Sequence, residues 1–224
     1  MADAKILRVT SNPARATADM PDQYSGARGT RDGCAFNADY LTNLAMQGRI
    51  FRASDADEND VLTSVATFAA TTPAILLDVP SGVTCIPLLV NLRQNVGGTL
   101  ASAPITVTLS IETAKVRYST GGTAETNIIS NRTDKPLSPA CTVYTTPTAA
   151  AAGTACAIYH DVLTPEITQI PAESGKWWFD WPPAMSAPFF LVGPASFLVF
   201  AYGTNSPTFQ WAIGWAEIPS ADVK

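Results

Sequence analysis

Residues 181–216 read WPPAMSAPFFLVGPASFLVFAYGTNSPTFQWAIGWA, a run without a single Asp, Glu, Lys or Arg. Unbroken, it would suggest a membrane span. Pro182, Pro183, Pro188, Pro194 and Pro207, with Gly193, Gly203 and Asn205, cut it into pieces shorter than the ~20 helical residues a bilayer requires. The pieces carry strand periodicity. Leu198, Phe200 and Tyr202 fall on one face of a strand over 195–202, and Phe197, Val199 and Ala201 on the other, so this strand is expected to be buried on both sides in the middle of a sandwich. In the last strand Phe209, Trp211, Ile213 and Trp215 alternate with Gln210, Ala212, Gly214 and Ala216. One side offers bulk, and the other lets a neighbouring backbone come close.

Working outward, the rhythm from residue 62 onward is that of strands, at about 63–69, 74–79, 83–93, 103–118, 140–145, 154–163, 175–181, 189–192, 195–202 and 209–218. Pro80-Ser81-Gly82 supplies a turn between the second and third of these. Ile105, Val107, Leu109 and Ile111 alternate with Thr106, Thr108, Ser110 and Glu112, giving one apolar and one wet face. Beyond Thr113 the apolar residues Ala114, Val116 and Tyr118 change parity, with Lys115 and Arg117 between them, which predicts a bulge or bend near 112–114. The expected fold is all-β: a jelly-roll-like β-sandwich with an extended N-terminal arm and one short helix. Residues 1–47 form the arm and helix, and residues 48–224 the sandwich domain. The helix is expected between Asn37 as N-cap and Gly48, with Leu41, Leu44 and Ala45 on one face, plugging an edge or barrel end. A strand-like Arg49–Ala53 follows it. The arm over 1–36, with Pro13, Pro21, Gly26, Gly29 and Gly33, has neither helical nor strand period and is expected to order by lying on a neighbouring subunit.

Charged residues are 15% of the chain, against a typical ~25%, while the apolar share is ordinary. The missing charge is surface charge, as in a protein partly covered by copies of itself or by a partner; a Ser/Thr-rich β surface is the plainer explanation. The net charge of −5, without any cluster of Lys or Arg, is the wrong sign for binding phosphate backbones, so nucleic acid is not an expected partner. The N-terminus lacks a charged-then-apolar signal layout, and no segment qualifies as a span. The expectation is a protein made in a cytoplasm and kept there, or released from it by a route other than secretion, without a membrane partner.

Cys34, Cys85, Cys141 and Cys156 contain no Cys-x-x-Cys pair, and His160 is the one histidine, so zinc-ligand spacing is absent. Cys141 and Cys156 bracket a short Thr/Ala-rich segment and could be imagined as a disulfide, but reduced, buried cysteines are the preferred reading. The turn Asp55-Ala-Asp57-Glu58-Asn59-Asp60 is the best cation candidate. It puts Asp60 where a calcium loop needs Gly and Ala66 where it needs an acid, so a solvated acidic turn is preferred. Gly121-Gly122 alone does not make a phosphate loop. Nucleophilic catalysis would have to use His160, whose neighbour Asp161 points to the other face of the strand and cannot orient it, and no Gly-x-Ser-x-Gly elbow occurs. Glu166, Glu173, Asp180 and Glu217 lie in the aromatic half of the chain. There Trp177, Phe179 and Trp181 share one strand face and Trp178 and Asp180 the other, so a sugar platform or a glycoside hydrolase using Asp180 or Glu217 comes into view. Tryptophan is equally a subunit-contact anchor, and that reading is preferred. No catalytic, metal or cofactor-binding residue is assigned. The subunit-interface candidates are Trp177, Trp178, Trp181, Phe189, Phe190, Trp211, Ala212, Gly214 and Trp215.

Three stretches carry a resemblance. GRIFRASDADEND leads into TPAILLDVPSGVTCIPLLVNLRQ, and YSTGGTAETNIISN follows the long strand. Val79-Pro80-Ser81-Gly82, Ile86-Pro87-Leu88 and Gly121-Gly122-Thr123-Ala124 with Asn127 resemble the turns of tailed-bacteriophage virion proteins of the head-decoration or head-fibre type, over residues 48–132. The resemblance implies a jelly roll that assembles, as a homotrimer, on the capsid surface of a DNA-filled head. Its partners would be itself and the major capsid protein or another virion protein, and it would be made in the host cytoplasm. The alternatives are a carbohydrate- or receptor-binding jelly-roll module of a virion or cell surface, a jelly-roll shell protein, and a glycoside hydrolase.

Overall fold

The alternating apolar residues of 105–111, 197–201 and 209–215 meet in a single core between two antiparallel sheets. The structure, a computed structural model, describes residues 28–29, 35–36, 40–55, 61–94, 104–163, 176–180, 189–204 and 206–222. For 28–29, 35–36, Tyr40, Leu163 and 176–180 it describes the backbone alone. In chain order the elements are β1 (Arg28–Gly29), β2 (Ala35–Phe36), helix α1 (Tyr40–Met46), β3 (Ile50–Ser54), β4 (Leu62–Thr63), β5 (Ile75–Val79), β6 (Val83–Gln94), β7 (Ile105–Glu112), β8 (Tyr118–Thr120) and β9 (Thr123–Ala124). There follow β10 (Ile128–Ser130), β11 (Thr142–Thr145), β12 (Thr148–Ala149), β13 (Cys156–Leu163), β14 (Lys176–Asp180), β15 (Leu191–Val192), β16 (Ala195–Tyr202) and β17 (Thr208–Pro219).

The first sheet runs β10-β3-β17-β6-β14, with β15 also on β6 and β4 also on β17; the second runs β13-β7-β16-β5-β11-β9. The chain is an all-β sandwich. Phe51, Leu92, Phe209, Ile213 and Trp215 from the first sheet pack against Leu77, Val107, Leu109, Phe197 and Val199 from the second. Each fully buried Leu, Ile or Phe contributes about 1.5–3 kcal/mol. Trp215 is fully buried, its ring centroid 5.9 Å from that of Phe51. Strand β16 lies between β7 and β5 and is buried on both faces, as its sequence predicts.

A central strand should not hold proline, because proline cannot donate to the ladder. Pro87 in β6 is accommodated by a register shift: Gly214 pairs with Leu89 and Trp215 with Pro87, so Leu88 is the extra residue of a bulge. The Ile86-Pro87-Leu88 segment is thus a ladder-shifting device.

Helix α1 ends as predicted before Gly48. The Gly48 N–H donates to the Ala45 carbonyl (2.9 Å) and the Arg49 N–H to the Leu44 carbonyl (3.0 Å), a Schellman pair, while Arg132 Nη1 caps the Met46 carbonyl (2.7 Å). Asn37 lies outside the described residues. The helix does not plug an end. Leu41, Leu44 and Ala45 lie on Ile50, Ile86, Ala216 and Ile218, the outer face of the first sheet.

The long strand expected over 103–118 stops at Glu112, and 63–69 shrinks to β4 plus one bridge, Val65 to Tyr202. After Glu112 the chain leaves its sheet and folds back over the outer face, where β8 pairs with β12. Ala149 of this flap packs with Leu76, Leu198 and Phe200 of the sheet, and Tyr144 and Tyr202 of the same sheet pack against that cluster. The parity break near 112–114 is real, but its sense is reversed: Arg117 is buried and Val116 is exposed.

The turn at Gly121-Gly122 positions the flap. Gly122 has φ +69, and an added Cβ would strike the Thr145 carbonyl and stand 2.8 Å from the Pro147 nitrogen. Gly82, with φ +83, has open space around it. Gly122→Ala is expected to lower stability by about 1–3 kcal/mol, and Gly82→Ala by the lower end of that range, because only the backbone penalty applies there. Urea unfolding midpoints of the two variants measure the difference.

Candidate functional site

Two clusters of buried polar side chains stand out, and both are structural in their geometry. The first lies where the chain leaves β7. Asp78, in the otherwise apolar Ile75–Val79, accepts from the backbone N–H of Arg117 (3.0 Å) and of Tyr118 (3.0 Å) and from the Ser196 hydroxyl. The Arg117 guanidinium donates to the carbonyls of Ala150 (2.7 Å) and Ala70 (2.8 Å) and stands 3.9 Å from Glu112. Glu112 accepts from Gly153 N (2.7 Å), Thr154 N (2.9 Å) and the Thr154 hydroxyl (2.7 Å). Burial works to raise the Glu112 pKa. The Thr154 hydroxyl and the N–H groups of Gly153, Thr154 and Ala114 outweigh it and hold the carboxyl at about 2. The bonds to Asp78 from Arg117 and Tyr118, and those to Glu112 from Gly153 and Thr154, tie the connections to the sheet.

The second cluster is at one end of the core. Glu217 accepts from Trp215 Nε1 (2.9 Å), Cys141 N (3.0 Å) and Ala140 N (2.8 Å), and the buried Cys85 is its cross-strand neighbour. A buried carboxylate taken up by three N–H donors inside a sandwich orients a loop and an indole. The side chain of Asp180 lies outside the described residues, as do Glu166 and Glu173.

His160 is exposed on β13, its Nδ1 2.9 Å from the Thr108 hydroxyl, while Asp161 accepts from the Val162 N–H (2.8 Å). The two do not form a dyad. In the acidic turn, Asp55 accepts from the Trp211 N–H (2.8 Å); residues 56–60 lie outside the described residues. Among the described residues no three His, Cys, Asp or Glu side chains converge as metal ligands would, and no helix is long and apolar enough to cross a membrane.

The nine interface candidates separate. Trp211 and Trp215 belong to the core of their own chain, because strand parity turns them inward. Gly214 is buried between its own neighbours, where an added Cβ would stand 3.4 Å from the Leu89 Cβ, and Ala212 is half-buried. Phe189 is half-buried and Phe190 is 45% exposed. In β14 the register sets Trp177 opposite Leu92 and Trp178 opposite Asn91; their side chains, and the whole of Trp181, lie outside the described residues. The disulfide considered for Cys141 and Cys156 is not brought together. The two sit on opposite flanks of a sheet with β7, β16 and β5 between them, on the order of 19 Å apart, and Cys156 is exposed. Sequence reasoning missed Asp78, Ser196 and the inward turn of Arg117. The signal available was an acid inside an apolar strand that is buried on both faces.

Comparison with protein-family models, with curated proteins and with solved structures finds no match for this chain.

Because its folded pKa is depressed, Glu112 contributes stability that is fully present above its ordinary value of 4.5 and lost as the pH falls toward about 2. Glu112→Gln is expected to cost about 1–3 kcal/mol at pH 7 and to flatten the loss of stability between pH 5 and pH 2. Thermal melts of the two proteins across that range check it.

Proposed function

We infer that the protein is a structural subunit of a virion, a jelly-roll decoration protein on the capsid surface. It associates with copies of itself, as a homotrimer, and with the major capsid protein or another virion protein. The observation that carries this reading is the apolar outer side of β15. Leu191 is buried, yet its neighbours Phe190 and Val192, on the solvent side, are 45% and 52% exposed. These residues lie inside the charge-free run 181–216, at the end of β6 where β15 pairs with Thr84 and Cys85. Large apolar side chains clustered on a charge-poor surface mark a place that another protein covers. The turn motifs at 79–82, 86–88 and 121–124 support the virion assignment through their resemblance to decoration proteins. The absorption of the buried carboxylates Glu112 and Glu217 into loop anchoring supports a structural role over a hydrolytic one.

Light scattering of the purified protein is expected to give about three times the 23.7 kDa of one chain. Phe190→Asp with Val192→Asp is expected to return it to one chain with the same melting profile below the association range. The protein should also be present stoichiometrically in purified virus particles. A single-chain mass at high concentration, together with absence from particles, would remove the basis of the reading.

A second reading, binding of carbohydrate or a receptor, is favoured by one observation. On the outer face of the second sheet Tyr118 and Tyr144 stack 3.9 Å apart, and the half-exposed Phe68 meets the rings of Phe200 and Tyr202. Glycan-array binding lost in Phe68→Ala would promote it; the same array without any signal would retire it.

A further inference from the structure

Cys85 and Cys141 come from different sheets and meet inside the core. Cys85 is in β6 of the first sheet, paired with Glu217 on one side and Leu191 on the other. Cys141 immediately precedes β11 of the second sheet, and its backbone N–H donates to that same Glu217 carboxylate at 3.0 Å. Both are buried in one apolar cluster and flank the same Glu217 carboxylate. The cysteine count and spacing of the sequence do not single out this pair.

We propose that Cys85 and Cys141 are a latent cross-sheet disulfide, open in a reducing compartment and closed when the protein meets an oxidising one, where it would lock the two sheets of the sandwich together. The inference stands independently of the virion reading and applies equally to any β-sandwich that leaves a cytoplasm. The oxidant is a low-molecular-weight disulfide such as oxidised glutathione. One cysteine, as thiolate, attacks a glutathione sulfur and expels the first glutathione thiolate. The second cysteine then attacks the protein sulfur of that mixed disulfide and expels the other. Two protein thiols become one S–S bond, and the two protons they lose end on the two reduced glutathiones.

The fold explains why the pair stays open until it is challenged. The Cys141 thiol is pushed up in pKa by its contact with Cys85, then by burial and by the Glu217 carboxylate, so little thiolate is present at neutral pH. The segment 133–140 that leads into Cys141 is mostly exposed and is held at its end by the bonds from Ala140 and Cys141 to Glu217. Opening that end frees Cys141 without unzipping β6, which is paired along its length with β17.

The test uses the full chain carrying Cys34→Ser and Cys156→Ser, so that only the two thiols in question remain. It is unfolded in urea and refolded in a mixture of oxidised and reduced glutathione, which removes burial as a kinetic barrier. The expected result is loss of both free thiols, a peptide pair linking Cys85 to Cys141 on non-reducing digestion, and a melting temperature several degrees above that of the same sample after a phosphine reductant. A refolded protein that keeps both thiols, or a linked protein that melts no higher than its reduced form, would overturn the proposal. Neither result alters the chain mass seen by light scattering, so this failure is separable from failure of the assembly reading.

Discussion

The pairing of β17 with β6 is the constraint on which the rest of the molecule depends. The two longest strands run registered from Phe209 opposite Gln94 to Pro219 opposite Val83. Their inward residues supply one wall of the core, and their outward residues Ile86, Ala216 and Ile218 supply the seat for helix α1. The other strands of the sheet are added to this pair: β3 and β4 on β17, β14 and β15 on β6. The bulge at Pro87 lets a residue that cannot donate sit in the centre of such a ladder, and the strong right-handed twist that bulges bring curves the sheet around the core. Trp215, opposite Pro87, fills the space inside that curve.

Buried charge performs a different task from buried hydrocarbon. Glu112, Arg117, Asp78 and Glu217 are each removed from water, and removing a charge costs several kcal/mol unless hydrogen bonds replace the lost hydration. Here the replacement comes mainly from backbone groups in or next to the connections between the long strands: Arg117 and Tyr118, Gly153 and Thr154, Ala140 and Cys141. The net stabilisation from each anchor is modest, but the alternatives are penalised, since any other loop placement leaves a charge buried and unpaired. The apolar pattern makes the sandwich; the buried charges determine how its connections lie.

The legible part of the sequence was the part governed by local alternation. Ile105 through Ile111, Phe197 through Ala201 and Phe209 through Trp215 declare strands with a core face, and those strands are present with that face inward. Leu76, Leu198 and Phe200 declare a second buried face, yet nothing local says what covers it. The cover is a flap whose strands, β8 and β12, are too short to have a period. For the same reason apolar alternation does not give the direction of the residues after Glu112, where Val116 stays outside and Arg117 is buried beside a carboxylate. The meeting of Cys85 with Cys141 depends on the packing of two sheets, which no spacing along the chain encodes. The surface partners are the least legible of all: Phe190 and Ala212 remain outward, whereas the two C-terminal tryptophans are consumed by the core.

The borders of the sheets have a bearing on how the molecule behaves in a crowd. Among the described residues, the first sheet is bounded by β10 on one side and by β14 and β15, two short strands sharing the length of β6, on the other. The second sheet is bounded by the two-residue β9 and by β13, whose register is interrupted between Ala157 and Tyr159. A long, flat, unbroken border is a template on which further chains add without limit, as in cross-β fibres. With its borders short, divided or kinked, this sandwich gives the backbone of a further chain little to pair with, which disfavours fibril growth.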